Sequence, residues 1–68
     1  MTREKTEPPV WEKLNLTVKE AALYSNIGEN KIRELINNPQ CEFVLYVGTK
    51  ALIKRNKFEK YIEIQMTI

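Results

Sequence analysis

Apolar residues recur with a helical period across residues 16–36, and one run of turn formers interrupts that period. The pattern predicts two short helices joined by a tight turn. Thr17 and Glu20 have the spacing of a capping box, so we expect the first helix to begin at Thr17. The interruption at residues 25–28 contains one large apolar residue, Ile27, which should pack between the two helices.

The second helix, which restarts at Gly28 or Glu29, has one apolar and one polar face. Residues three and four positions apart share a face, so Ile32, Leu35 and Ile36 should point inward. Amide and guanidinium groups on the opposite face could read base edges, Asn against adenine and Arg against guanine. The same pattern also fits an ordinary helical hairpin whose polar face is simply solvated. The outward residues are Asn30, Lys31, Arg33, Glu34 and Asn37.

Strand-like segments follow the second helix. Residues 37–39, Asn-Asn-Pro, should end that helix, because Asn tolerates a left-handed cap and Pro restricts the residue before it. Residues 42–47 predict a strand, residues 51–54 its partner, and residues 48–50 the tip of a β-hairpin between them. A hairpin directly after a candidate recognition helix has the position of the wing in a winged-helix protein.

A third helix should close the domain. Asn56, with Glu59 three residues later, is a cap-like start, and the apolar stripe that follows reads as core. That stripe consists of Phe58, Tyr61 and Ile62.

The element order predicts an α+β fold, a small winged helix-turn-helix domain. We expect this domain to span residues 10–68, behind a flexible N-terminal arm of residues 1–9 that ends in two prolines. Trp11, directly after the prolines, should be buried as a core residue, and its truncation to Ala should cost stability.

Composition excludes most catalytic chemistry. The 68 residues contain no His and no Asp, one Cys and one Ser, which removes His-based triads and the usual zinc ligand sets. We therefore expect no enzyme activity, metal or cofactor. A single Cys allows no internal disulfide, and no segment resembles a signal peptide or a membrane span, so a cytoplasmic protein is expected.

The net charge of +2 is too small to indicate a nucleic-acid partner by itself, but its distribution is uneven. Residues 43–68 hold five basic and two acidic side chains. Lys50 lies at the predicted hairpin tip, and Lys54 and Arg55 lie at the junction of strand and helix, where they could reach phosphates. The remaining two basic residues are Lys57 and Lys60. We expect them to lie on a solvated face of the third helix.

Five segments, taken in order, resemble the excisionases of conjugative transposons. They are residues 11–12 (Trp-Glu), 16–21 (Leu-Thr-x-x-Glu-Ala), 27–35 (Ile-Gly-Glu-Asn-Lys-Ile-Arg-x-Leu), 46–51 (a Gly-centred hairpin) and 53–60 (Ile-Lys-Arg-x-x-Phe-Glu-Lys). Residues 27–33 are the most specific part. The resemblance implies a winged-helix protein that binds and bends DNA near the ends of a mobile element. Such a protein helps a tyrosine-recombinase integrase to excise the element and has no chemistry of its own.

By position, the resemblance implies that Asn30, Lys31 and Arg33 contact the major groove. It assigns residues 49–50 to the wing contact and residues 54–55 to phosphates. Glu34 departs from this scheme, since a basic residue would suit DNA better. It could accept from a cytosine amino group, or pair with Lys31 or Lys50. The expected DNA-binding residues are Glu29, Asn30, Lys31, Arg33, Glu34, Thr49, Lys50, Lys54 and Arg55.

The expected partners are double-stranded DNA at the element ends and the integrase, with no membrane. We expect a monomer in solution that could associate cooperatively on DNA. Two alternatives remain open. A small winged-helix repressor would use the same fold on palindromic half-sites, and a protein adaptor would dock an enzyme through the third helix without touching DNA.

Overall fold

Seven short elements follow one another in residues 8–68, the part of the chain that this computed structural model describes. A 3₁₀ turn at Val10–Glu12 precedes the first strand. The elements after it are β1 (Asn15–Thr17), α1 (Val18–Ser25), α2 (Glu29–Ile36), β2 (Val44–Val47), β3 (Lys50–Lys54) and α3 (Arg55–Glu63). Helices and strands combine in an α+β arrangement, as predicted. The predicted arm lies outside the described residues except for Pro8 and Pro9, so it stays a prediction.

The predicted capping box starts α1. The Glu20 backbone N–H donates to Thr17 Oγ1 at 3.0 Å, and the Thr17 N–H donates to Glu20 Oε1 at 3.0 Å. These two bonds satisfy backbone donors that a helix start otherwise leaves unpaired. The helix ends at Asn26, whose φ of 63° is left-handed, a conformation that Asn tolerates better than most residues.

The second helix has the faces that the sequence predicted. Ile32 and Ile36 are buried, Leu35 is half-buried and packs against the core, and Ile27 in the preceding turn does the same. The helix ends before Asn37, as expected. Asn37 itself is right-handed, with φ −77°, so the left-handed cap lies after α1 and not after α2.

The predicted hairpin is present as β2 and β3, and β1 extends it to a three-stranded antiparallel sheet. Its strand order is β1-β3-β2, and Leu16 of β1 pairs with Ile53 of β3. The sequence analysis missed β1 because three residues are too few to show an alternating pattern. The predicted 42–47 strand was also too long, since Phe43 lies outside β2 and is buried in the core.

The β2–β3 hairpin turns through two residues. Val47 pairs with Lys50, which leaves Gly48 and Thr49 as the turn, so Lys50 belongs to β3 and not to the loop. Gly48 has a φ of 64°. A positive φ at the first turn position is typical of a type II′ hairpin, whose twist matches that of the strands.

The sheet has a helix-bearing face and an outer face. Ile53 and its cross-strand neighbours Leu16 and Val44 belong to the core cluster or pack against it, together with residues of all three helices. The alternate residues Leu45 and Leu52 pair with each other on the outer face and are half-buried. The core therefore lies on one side of the sheet.

The N-cap of the third helix is Lys54, two residues before the predicted cap Asn56. Its first residue is Arg55, and Asn56 makes no side-chain cap. The reason is that β3 runs directly into α3, so the Arg55 N–H donates to the Leu14 carbonyl at 3.1 Å instead of to a side chain. Phe58 is fully buried, as predicted, with its ring centroid 5.1 Å from that of Phe43.

The prediction for Trp11 was wrong, because its side chain is 62% exposed. Its neighbour Val10 packs against the core in its place. Adjacent residues of a 3₁₀ turn point in directions about a third of a turn apart, so a single turn can bury one of the two but not both.

No helix within residues 8–68 is long and apolar enough to cross a membrane.

Candidate nucleic-acid interface

The outward face of α2 is anchored by its inward face. Ile32 is fully buried and Ile36 is 7% exposed, which fixes the rotation of the helix about its axis. The predicted outward residues Asn30, Lys31, Arg33, Glu34 and Asn37 are all exposed. Glu29 is exposed as well. Five of the predicted DNA-binding residues therefore lie on the exposed surface of α2: Glu29, Asn30, Lys31, Arg33 and Glu34.

The four charged side chains of this surface form two ion pairs along the helix. Lys31 Nζ lies 2.9 Å from Glu34 Oε1, and Arg33 Nη2 lies 3.8 Å from Glu29 Oε1. Exposed pairs of this kind contribute between zero and about 1 kcal/mol, so either cation can exchange its carboxylate for another anion at little cost. Glu34 therefore has one of the roles the sequence left open for it, a pair with Lys31.

Asn30 differs from its charged neighbours. Its side chain is exposed, and within residues 8–68 its amide makes no hydrogen bond. An amide offers a donor and an acceptor side by side. This geometry matches the N6 and N7 edge of adenine.

The wing carries the second group of predicted residues. Gly48, Thr49 and Lys50 are exposed at the hairpin tip. Within the described part of the chain, Lys50 has no ion-pair partner. The sequence analysis did not select Tyr46 and Val47, which are 57% and 56% exposed directly before the turn. Tyr46 lies on the same face of β2 as Val44, so the alternation of the strand predicts that it is buried. It is exposed because the hairpin extends past the end of the core.

Lys54 and Arg55 are placed differently from the other predicted residues. Lys54 is half-buried and pairs with Asn15 on the outer face of the sheet. Arg55 has a side chain only 19% exposed, and its Nε donates to the Lys13 carbonyl at 2.6 Å. Arg55 therefore joins the start of α3 to the segment that precedes β1. Its predicted contact with a phosphate stays a prediction.

A polar cluster connects α1 and α3 around the same arginine. Arg55 Nη1 lies 3.2 Å from Glu59 Oε2, which also accepts a hydrogen bond from the Tyr24 hydroxyl. The Tyr24 hydrogen bond, and then Arg55, lower the pKa of Glu59, and the same bond raises the pKa of Tyr24. The cluster fixes the end of α1 against α3.

A second polar contact supports the other end of α1. Lys13 Nζ lies 2.6 Å from Glu20 Oε2, while Glu20 Oε1 closes the capping box. The lysine hydrogen bond, and next the Thr17 N–H, lower the pKa of Glu20. Within residues 8–68, the Cys and Glu side chains form no group of three that could hold a metal ion. The chemistry that this surface offers is recognition by hydrogen bonds and charge.

Known proteins with similar sequences show the family of this chain. A model of the family described as excisionase from transposon Tn916 matches residues 1–68. The chain belongs to the Tn916 excisionase family. An excisionase from transposon Tn916 in Streptococcus agalactiae serotype V (strain ATCC BAA-611 / 2603 V/R) is 41% identical over 61 residues, which cover 88% of this chain and 91% of that protein. No solved structure matches this chain.

Membership of the Tn916 excisionase family confirms the resemblance carried by the sequence motifs. The most specific of them, residues 27–33, forms the turn before α2 and the first half of that helix. It therefore includes Asn30, Lys31 and Arg33, the predicted major-groove residues. The Gly-centred motif of residues 46–51 forms the wing. The motifs that define the excisionase resemblance and the exposed polar surface are thus largely the same residues.

Proposed function

We propose that this protein is an excisionase that binds duplex DNA through α2 and the wing and directs an integrase towards excision of a mobile element. The observation that carries the proposal is the exposed α2 face with Asn30, Lys31 and Arg33, in a chain of the Tn916 excisionase family. Cleavage and rejoining of the strands belong to the integrase in this proposal, and the excisionase contributes binding energy and DNA shape.

Recognition of base edges is assigned to α2. An α-helix with its side chains is about 10–12 Å in diameter, which suits insertion into a major groove about 12 Å wide. Asn30 would bind adenine, and Arg33 would exchange its Glu29 partner for the O6 and N7 atoms of guanine. Lys31 would exchange Glu34 for guanine or a phosphate. Both exchanges are supported by the weakness of exposed ion pairs.

The wing is assigned to the backbone beside the groove that α2 enters. Thr49 offers a hydroxyl and Lys50 an uncompensated ammonium, and both groups contact phosphates in protein–DNA complexes. Contacts in two adjacent grooves allow a small protein to bend a duplex, because the bend increases the contacted surface. Bending of the element ends would bring the binding sites of a tyrosine-recombinase integrase into the arrangement that excision requires. A monomeric protein that adds cooperatively along DNA fits this role.

The first test needs no knowledge of the target sequence. The protein is titrated with a short random-sequence duplex at low salt, and the amide chemical shifts are followed by NMR. We expect the largest changes in residues 29–34 and 48–50. Changes confined to residues 58–68, or none at all, would contradict DNA binding through this surface.

The second test measures excision. Purified protein is added to the integrase and a plasmid that carries the element, and the excised circle is quantified. We expect the N30A/R33A double variant to lose the stimulation, while K60A, which changes an exposed lysine of α3 outside the surface, keeps it. Equal stimulation by all three proteins would show that α2 is not the contact that matters for excision.

A further inference from the structure

One tyrosine of the wing has no role in the fold. Of the three tyrosines, Tyr24 donates to Glu59, and Tyr61 packs against Phe43 with ring centroids 5.1 Å apart. Tyr46 is 57% exposed, and its hydroxyl makes no hydrogen bond to any residue that the structure describes. An aromatic ring that is exposed to solvent beside a tight turn contributes little to the stability of a hairpin. The presence of tyrosine at this position therefore needs a different explanation.

The strand register gives the direction of this side chain. Tyr46 pairs with Ala51, and the next pair on the same face joins Val44 to Ile53, which is fully buried. Tyr46 therefore projects from the helix-bearing face, past the end of the core. Val47 is equally exposed but pairs with Lys50 on the outer face.

The helix-bearing face is also the side on which α2 lies. Ile32 and Ile36 of α2 share one core cluster with Ile53 of β3. A duplex held against the outward surface of α2 consequently lies on the helix side of the sheet plane. The wing side that faces such a duplex carries Tyr46. Val47 and Lys50 share the outer face. The short Val47 side chain points away from the duplex, whereas the flexible four-carbon stem of Lys50, next to the turn, allows its ammonium to reach a phosphate past the hairpin tip.

We propose that Tyr46 is a DNA-contact residue of the wing, whose ring packs on a deoxyribose at the edge of the minor groove and whose hydroxyl donates to an adjacent phosphate. Tyrosine suits this contact because it joins a flat apolar surface to a donor at its tip. The assignment rests on the proposed function, since it requires α2 to hold the duplex beside the wing. It adds a neutral contact to a surface otherwise described by its amide and charged groups.

The neutral character of this contact provides its test. Each phosphate that is neutralised by a cation adds about 0.9 to the slope of log affinity against log salt, and a tyrosine adds nothing. The variants are Y46A, Y46F, V47A as the matched control of equal exposure, and K50A as the charged comparison. Affinity for a short duplex is measured by fluorescence anisotropy over a series of salt concentrations, and thermal melting is recorded for each variant.

For Y46A we expect an affinity about tenfold lower with an unchanged salt slope, because ring and hydroxyl are lost but no charge is. Y46F keeps the ring and should lose about threefold. V47A should stay within about twofold of the wild type, and K50A should lower the slope by about 0.9. Since Tyr46 is exposed, all four variants should melt near the wild-type temperature.

Two results would overturn the inference, and they differ in what else they reject. If the wild type binds with a clear salt slope but Y46A and V47A lose affinity equally, Tyr46 is not a DNA contact and the proposed function stands. If the wild type shows no salt-dependent binding to duplexes, the proposed function fails and the inference fails with it.

Discussion

At the scale of single residues, Arg55 makes structural contacts that its position in the sequence did not indicate. A basic residue between a strand and a helix suggests a phosphate contact, but the guanidinium donates to the Lys13 carbonyl and Glu59. The reason is tertiary, because β1 passes beside the start of α3, and β1 gave no sequence pattern. Trp11 is a similar case, since its exposure follows from the orientation of a single 3₁₀ turn.

Replacement of Arg55 by Ala separates a structural role from a DNA contact. We expect R55A to lower the free energy of unfolding by roughly 1–3 kcal/mol, because it removes a charge-assisted hydrogen bond and leaves Glu59 with one partner fewer. The measurement is chemical denaturation, with K54A as the control, because Lys54 has no ion pair within residues 8–68. A variant of wild-type stability with a reduced salt slope for DNA would favour the phosphate contact after all.

At the scale of elements, helices with local start signals were predictable and short strands were not. The start of α1 follows from its capping box, and the break between α1 and α2 follows from the turn residues. The apolar face of α2, formed by Ile32, Leu35 and Ile36, defines the extent of that helix. All of these signals are local in the sequence. The start of α3 depends on a carbonyl of Leu14, far away in the chain, so no cap residue marks it. The outward position of Asn30 was predictable because the opposite face of α2 is strongly apolar, whereas the exposure of Tyr46 depends on how far the hairpin extends past the core.

The capping box of α1 supports the candidate interface indirectly, because α1 packs against α2. T17A should lower the free energy of unfolding by about 0.5–2 kcal/mol through loss of one cap. T49A is the matched control, since Thr49 is exposed in the hairpin turn and makes no hydrogen bond within the described residues. Equal melting temperatures for T17A and the wild type would mean that the packing of α1 makes its cap redundant.

At the scale of the whole molecule, the two polar clusters around α1 contribute to the pH dependence of stability. The folded-state pKa values of Glu20 and Glu59 are lowered, so the stability they contribute is complete above their unfolded pKa of about 4.3 and is lost as the pH falls through the folded values. The pKa of Tyr24 is raised, so its contribution is complete below an unfolded pKa of about 10 and is lost as the pH rises through the folded value.

The melting temperature should therefore be level between about pH 5 and pH 9 and fall on both sides. E59Q should melt lower at neutral pH and show a shallower acid limb, because its amide cannot gain a proton where the carboxylate does. Y24F should reduce the loss of melting temperature at alkaline pH, because phenylalanine has no hydroxyl proton to lose. E63Q is the control, as Glu63 makes no ion pair within residues 8–68. An acid limb of wild-type steepness in E59Q would exclude Glu59 as a source of the pH dependence.

The salt dependence of DNA binding tests the whole surface at once. The predicted cations are Lys31, Arg33, Lys50, Lys54 and Arg55. Three or four phosphate contacts among them give a slope of about −3 to −4. K31A and K50A should each reduce the magnitude of the slope by about 0.9, but Lys31 must first leave Glu34, 2.9 Å away. E34Q frees that lysine and should strengthen binding to random duplexes. A slope near zero, or one that neither lysine variant changes, would mean that α2 and the wing do not hold the DNA backbone.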